Sequence, residues 1–188
     1  EGELVYPIML TRGCPYRCAF CGGHATFAQL RKRSPESVVD EIEFVYREYG
    51  IKLFHFLDDT FTVDKLRAGR IFELIIERRL PIRWMAMTRA DAIVRKLKSD
   101  DDYGEEREFL RLARESGCLG FAIGVESGDE KILGLIDKKL DLSILHKATE
   151  LLREAEIRVK YFLIVGFPGQ DEASIQKTID VIERDKPD

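Results

Sequence analysis

Leu10-Thr11-Arg12-Gly13-Cys14-Pro15-Tyr16-Arg17-Cys18-Ala19-Phe20-Cys21 holds three of the chain's four cysteines within eight residues, spaced C-x3-C-x2-C. The loop follows at once on the apolar run Val5 to Leu10, which reads as a strand. Spacings this short let one loop wrap its thiolates around a metal ion or an iron–sulfur cluster. The number of ligands matters. A closed structural zinc site takes four, whereas a site with an open position can bind and activate something else. The rival reading is zinc, with His24 as fourth ligand in a C-x3-C-x2-C-x2-H run.

On either side of this loop, apolar β-rich runs alternate with amphipathic helical ones, the signature of βα units and a parallel sheet. Strands are expected at about 5–10, 52–57, 82–87, 119–125 and 158–165. The fifth is apolar from Tyr161 onward, as suits a strand buried on both faces. Ser34-Pro35 starts a helix with Val38, Ile42, Val45 and Tyr49 on one apolar face and Gly50 at its end. Asp64 caps a second, with Ala68, Ile71, Phe72 and Ile75 inward. A weak helix at 92–98, an acidic solvated loop and a helix at 106–116 come next, the last closed by Gly117. Asp141 or Ser143 caps a helix burying Leu145, Ala148, Leu152 and Ala155; Asp171 caps a final one burying Ile175, Ile179 and Ile182. The fold class is therefore α/β: a partial parallel (β/α) barrel with about five βα units visible and the sixth strand missing. Residues 1–188 form one domain, expected to be part of a longer protein.

Bulk properties narrow the function classes. The 188 residues suffice for one sizeable core. A hydrophobic fraction of 45% with 34% charge is that of an ordinary globular domain. The net charge of −4 offers no footprint for nucleic acid. No apolar run approaches the roughly 20 residues that span a bilayer. One clustered trio and a distant Cys118 do not make a secreted disulfide framework; a reducing cytoplasm suits thiols meant for iron. Cys118 reads as a small buried residue, and Trp84 and Tyr161 read as core.

Each strand end carries a polar or glycine-rich segment, where parallel barrels place their chemistry. Asp58-Asp59-Thr60-Phe61-Thr62 follows the second strand, and its carboxylates either receive a ligand's ammonium or cap the next turn. Thr88-Arg89-Ala90-Asp91 follows the third. Arg89 there grips a carboxylate bidentately or forms a rim ion pair with Asp91 or Glu126. In Gly124-Val125-Glu126-Ser127-Gly128, Glu126 ends an apolar strand, where a lone carboxylate needs a partner. Ile164-Val165-Gly166-Phe167-Pro168-Gly169 turns the chain after the fifth strand.

The cysteine loop, down to the aromatic Phe20 before its last cysteine, resembles the cluster motif of the radical S-adenosylmethionine (SAM) enzymes. The other segments follow in that family's order, and D-D-T-F-T is similar to the branch associated with cobalamin-binding domains. The resemblance implies that Cys14, Cys18 and Cys21 hold a [4Fe–4S] cluster whose fourth iron SAM chelates. It further implies that Asp58 or Asp59, Arg89, and Glu126 with Ser127 contact SAM's methionyl and ribose groups. Phe20, Ile164, Gly166 and Phe167 would line its adenine. The implied activity is reductive cleavage of SAM to a 5′-deoxyadenosyl radical that takes hydrogen from a small-molecule substrate, in cobalamin-dependent methyl transfer or cyclisation. An electron donor such as ferredoxin or flavodoxin is implied as partner. The alternatives are a methylthiotransferase or tRNA-modifying member of the same family, and a non-catalytic zinc or iron–sulfur module.

Overall fold

A computed structural model describes residues 3–26 and 29–188, without the side chains of His24, Ala25 and Asp101. In chain order the elements are β1 (Val5–Ile8), β2 (Thr11–Arg12), α1 (Gly23–Thr26), β3 (Arg31–Lys32), α2 (Pro35–Tyr49), β4 (Leu53–Phe56), α3 (Lys65–Glu77), β5 (Arg83–Thr88), α4 (Ala90–Ile93), α5 (Gly104–Glu115), β6 (Cys118–Glu126), α6 (Glu130–Leu135), α7 (Leu142–Glu154), β7 (Arg158–Leu163) and α8 (Glu172–Asp185). Single 3-10 turns stand at Phe61–Val63 and Asp100–Tyr103.

Five strands pair in the order β1-β4-β5-β6-β7, all parallel. Parallel neighbours require a crossover between each pair, and the helical segments supply it. At Asp188 the chain has come back beside β7: its N–H donates to Val159 O, and Val159 N–H donates to its Oδ2, both at 2.8 Å. A two-stranded antiparallel ribbon of β2 and β3 brackets the cysteine segment. The sequence pattern gave no sign of it, because two-residue strands have no period.

Helix starts follow the side-chain chemistry read from the sequence. Ser34 accepts from Ser37 N–H, Asp64 from Arg67 N–H and Asp141 from Ser143 N–H, while Asp171 forms a capping box with Ser174. Gly50 ends α2 in the left-handed conformation at φ 67°.

One face of the sheet is packed under helices. Phe54, Phe56, Trp84, Ala86, Phe121, Ile123, Val125 and Val159 point outward into it and are buried. The rings of Phe56, Phe61, Phe72 and Phe121 surround Trp84, with centroids 5.2–5.7 Å from it. The alternate residues His55, Met85, Met87, Gly120, Ala122 and Gly124 face the concave side and are only half-buried.

Several expectations are corrected. Tyr49 is 68% exposed, because α2 turns its last residue off the sheet. In α8 the buried residues are Ser174, Val181 and Asp185, whereas Ile175 and Ile179 are 37% and 40% exposed. Two faces compete on that helix, and α7 with the loop after β6 covers the one that supplies a buried carboxylate. β7 is an outer strand of the five, and its Phe162 and Leu163 are exposed rather than buried on both faces. The weak helix shrinks to the four residues of α4.

Candidate active site at the C-terminal rim

The cysteine segment leaves β1 and is tied down at both ends. Asp58, fully buried after β4, accepts from Leu10 N–H (3.0 Å) with one oxygen and from the Thr11 hydroxyl (2.6 Å) and N–H with the other. Burial pushes its carboxyl up, and these hydrogen bonds pull the other way. Both oxygens thus face the loop's first residues rather than a ligand. Asp59, next to it, is exposed at the rim. Farther along, Ala19 N–H donates to Ile136 O at 2.8 Å, which fastens the loop to the end of α6.

Between these anchors each of the three sulfurs has its own polar neighbour, and two of these are hydrogen-bond donors, since the Thr60 hydroxyl donates to Asp59 O at 2.8 Å. Cys14 Sγ lies 3.6 Å from Thr60 Oγ1, Cys18 Sγ 3.9 Å from an Arg89 guanidinium nitrogen, and Cys21 Sγ accepts from Gly23 N–H at 3.4 Å. Hydrogen bonds to the sulfurs are the surroundings that thiolate-held iron clusters use to set their potential. All four cysteines are free thiols. Among the described residues no three Cys, His, Asp or Glu side chains converge on one metal position. Three thiols on one loop, with no fourth protein ligand required, are a donor set that fits an iron–sulfur cluster. The side chain of His24, the zinc alternative's fourth ligand, lies outside the described residues.

Arg89 is almost wholly buried and multiply held. Its fork takes both Asp91 oxygens at 2.8 and 2.9 Å and Lys139 O at 3.1 Å, and it stacks on Tyr16 at 3.9 Å. The sequence left its partner open between Asp91 and Glu126; the structure selects Asp91. Glu126 pairs instead with Lys138 (Oε1 to Nζ 2.8 Å), with both side chains 10% exposed or less. A Cβ at Gly124 would sit 2.6 Å from that Oε1 and 2.9 Å from Nζ, so only glycine leaves room for the pair. Glu126 itself has φ 68°; the other non-glycine residues with positive φ lie just past helix ends, and this one closes a strand. Such backbone costs energy and gathers at functional sites. Its carbonyl accepts from Ile164 N–H at 3.0 Å, joining the rims of β6 and β7.

Ser127 is buried and its hydroxyl accepts from Asp129 N–H at 3.1 Å. Gly128 lets α8 approach: a Cβ there would lie 2.5 Å from Lys177 O. Phe167, from the turn after β7, meets Phe20 of the cysteine loop with ring centroids 5.6 Å apart. Ile164 is half-buried beside them in sequence, and Gly166, at φ 100°, donates its N–H to Gln170 Oε1. The structure thus joins Phe20 to Phe167 and Cys18 to Arg89, segments about 150 and 70 residues apart. Lys138 escaped the sequence reading. The one clue was the carboxylate of Glu126 at the end of an apolar strand, which demanded a cation from somewhere.

Comparison with known proteins accords with this arrangement. The family model of the radical SAM superfamily matches residues 8–182. The chain is 31% identical over 92% of its length to an uncharacterized methyltransferase of Pyrococcus horikoshii, PH0819, and covers 35% of that protein. It is 29% identical over 90% of its length to the anaerobic magnesium-protoporphyrin IX monomethyl ester cyclase of Cereibacter sphaeroides, covering 26% of it. It thus spans about a third or less of these relatives. The fold superposes with a TM-score of 0.81 on the radical SAM methyltransferase TsrM of Kitasatospora setae, at 21% identity over 97% of this chain and 33% of that one. That structure was determined with cobalamin and a [4Fe-4S] cluster bound. The chain described here belongs to the radical SAM superfamily.

Proposed function

We propose that this domain is the core of a longer radical SAM enzyme, in which Cys14, Cys18 and Cys21 hold a [4Fe–4S] cluster beside a SAM site on the same rim. The observation that carries the reading is the loop itself: three free thiols, each with its own polar neighbour, braced by Asp58 and by Ile136 O. When bound, the reduced cluster and SAM together supply a 5′-deoxyadenosyl radical for hydrogen abstraction. The chain's own residues orient and shield. Phe20 and Phe167 offer paired apolar faces for an adenine, with Ile164 and Gly166 on the adjoining turn. Glu126 and Lys138 present opposite charges to a zwitterionic methionyl group or to ribose hydroxyls, and Ser127 holds the turn behind them. Asp59 reaches the same rim from the β4 side, where a carboxylate accepts from an ammonium. Arg89 keeps a positive charge beside Cys18.

The relatives support methyl transfer or ring closure on a small-molecule substrate as the whole protein's reaction, with cobalamin held outside this domain. An electron donor such as ferredoxin or flavodoxin in the cytoplasm completes the proposal. The test is anaerobic reconstitution of the full-length protein with iron and sulfide, then EPR of the reduced form with and without SAM. A [4Fe–4S] signal that changes on adding SAM, with 5′-deoxyadenosine among the products, is expected; Cys14→Ala, Cys18→Ala and Cys21→Ala each remove it. A zinc-only protein, or a cluster indifferent to SAM, defeats the reading.

A further inference from the structure

The concave face of the sheet carries a second set of residues that the rim does not use. Register places Pro7, His55, Met85, Gly120 and Arg158 in one layer across all five strands. Met87, Ala122 and Lys160 form the next layer toward the rim. A cavity of about 370 Å³ opens over β6 and is lined by residues of both layers. That volume is in the range of small-molecule sites.

Its lining is asymmetric. Gly120 and Ala122 make a low floor, His55 and Met85 stand on one flank, and Arg158 and Lys160 stand on the other. The two cations are two residues apart on β7, so both project to the same side. Arg83 shows what a structural cation on this face looks like, because Glu3 grips it with two oxygens at 2.5 and 2.6 Å. Arg158 and Lys160 form no ion pair or side-chain hydrogen bond among the described residues. Asp188 also lines the cavity, where its carboxylate accepts from Val159 N–H at 2.8 Å and sets one negative charge against the two cations. The lining keeps an excess of positive charge, and an excess of one sign on a concave wall focuses a field on a counter-ion.

We infer that this concavity binds an anionic small molecule, a substrate bearing a phosphate, phosphonate or carboxylate group. Its charged end lies on Arg158 and Lys160, and its apolar part crosses the Gly120–Ala122 floor against Met85 toward the rim. An arginine fork and a lysine point charge are both suited to such oxyanions. That the molecule is a substrate rests on the radical SAM reading above; the anion site itself rests on the cavity and its two cations.

The experiment is calorimetric titration of the full-length, cluster-loaded protein with hexylphosphonate, and with hexyltrimethylammonium as the matched cation. Hexylphosphonate binds and the ammonium does not. Arg158→Gln and Lys160→Gln each weaken binding about tenfold, as expected for one charge-assisted hydrogen bond. Ala122→Leu, which raises the floor and keeps both charges, blocks binding as well. Equal affinity for the two probes overturns the inference, as does unchanged phosphonate affinity in the double glutamine variant with a native circular dichroism spectrum. 5′-Deoxyadenosine formation is assayed in parallel. Phosphonate binding without SAM cleavage leaves the site standing and the enzyme reading fallen. SAM cleavage with phosphonate binding indifferent to the double variant does the reverse.

Discussion

Glu126 and Lys138 are opposite charges that have left water together, held by Gly124's missing side chain and a left-handed backbone. Removing one partner strands the other. Lys138→Ala should therefore cost about 3 to 5 kcal/mol, whereas the isosteric pair Glu126→Gln with Lys138→Met should recover most of it. Urea denaturation of the single and double variants measures both, and a harmless Lys138→Ala would mean the pair is solvated after all. The cysteines make a second residue-scale prediction. Burial pushes the Cys118 thiol far up, whereas Cys21 is exposed. In cluster-free protein iodoacetamide should label Cys21 first and Cys118 last, with the order read by peptide mass spectrometry. The candidate residues themselves stood in the sequence, because cysteine spacing and strand-end carboxylates are local facts. Their partners were not there to be read: Lys138, Thr60 and Ile136 O arrive from other segments.

Among the elements, α8 shows how close packing discriminates between glycines. Gly128→Ala drives a Cβ to within 2.6 Å of Thr178 Cα and Lys177 O, so the helix must move away from the β6 loop. A loss of roughly 2 kcal/mol or more is expected from such overpacking. Gly134→Ala in α6 meets nothing within 4 Å and should gain about 0.5 to 1 kcal/mol from helix propensity. Thermal melting separates the two, and equal shifts would refute the account.

The same helix ends in Asp185, whose buried carboxylate binds His146 of α7 at 2.7 Å, Tyr161 of β7 at 3.0 Å and Arg184 at 2.6 Å. Burial raises its carboxyl, but the hydrogen bonds from Arg184, His146 and Tyr161 outweigh that and hold it below the ordinary value. The unfolded chain then takes up the proton first as pH falls. This contribution is complete above about pH 5 and drains away as pH drops through the lower folded value. The stability gap between the native protein and Asp185→Asn should shrink from about pH 5 to about pH 2; a gap flat over that range would contradict it. Element starts were legible because Ser34, Asp64, Asp141 and Asp171 cap their own helices. The buried face of α8 was not, because a period marks an apolar stripe without saying which face the neighbouring elements will cover.

At the scale of the molecule, the sheet and its helices share one aromatic centre at Trp84, fully buried, whose indole N–H donates to Ser116 O and Oγ at 3.1 Å. Trp84→Ala should cost about 3 to 5 kcal/mol and lower the denaturation midpoint accordingly; a small change would show that Phe56, Phe61, Phe72 and Phe121 repack over the gap. By itself the sequence determined the alternation of strands and helices, the caps, the order of the rim segments and the cysteine spacing. Each of these depends on neighbours within a few residues, where covalent geometry and periodicity leave little choice. Tertiary structure alone decided that Arg89 takes Asp91, that Glu126 takes Lys138, that Asp58 braces the loop, and that Arg158 and Lys160 share a concave wall. Those outcomes depend on which side chains meet across a folded sheet, and a buried charge binds whichever counter-charge the packing brings within reach.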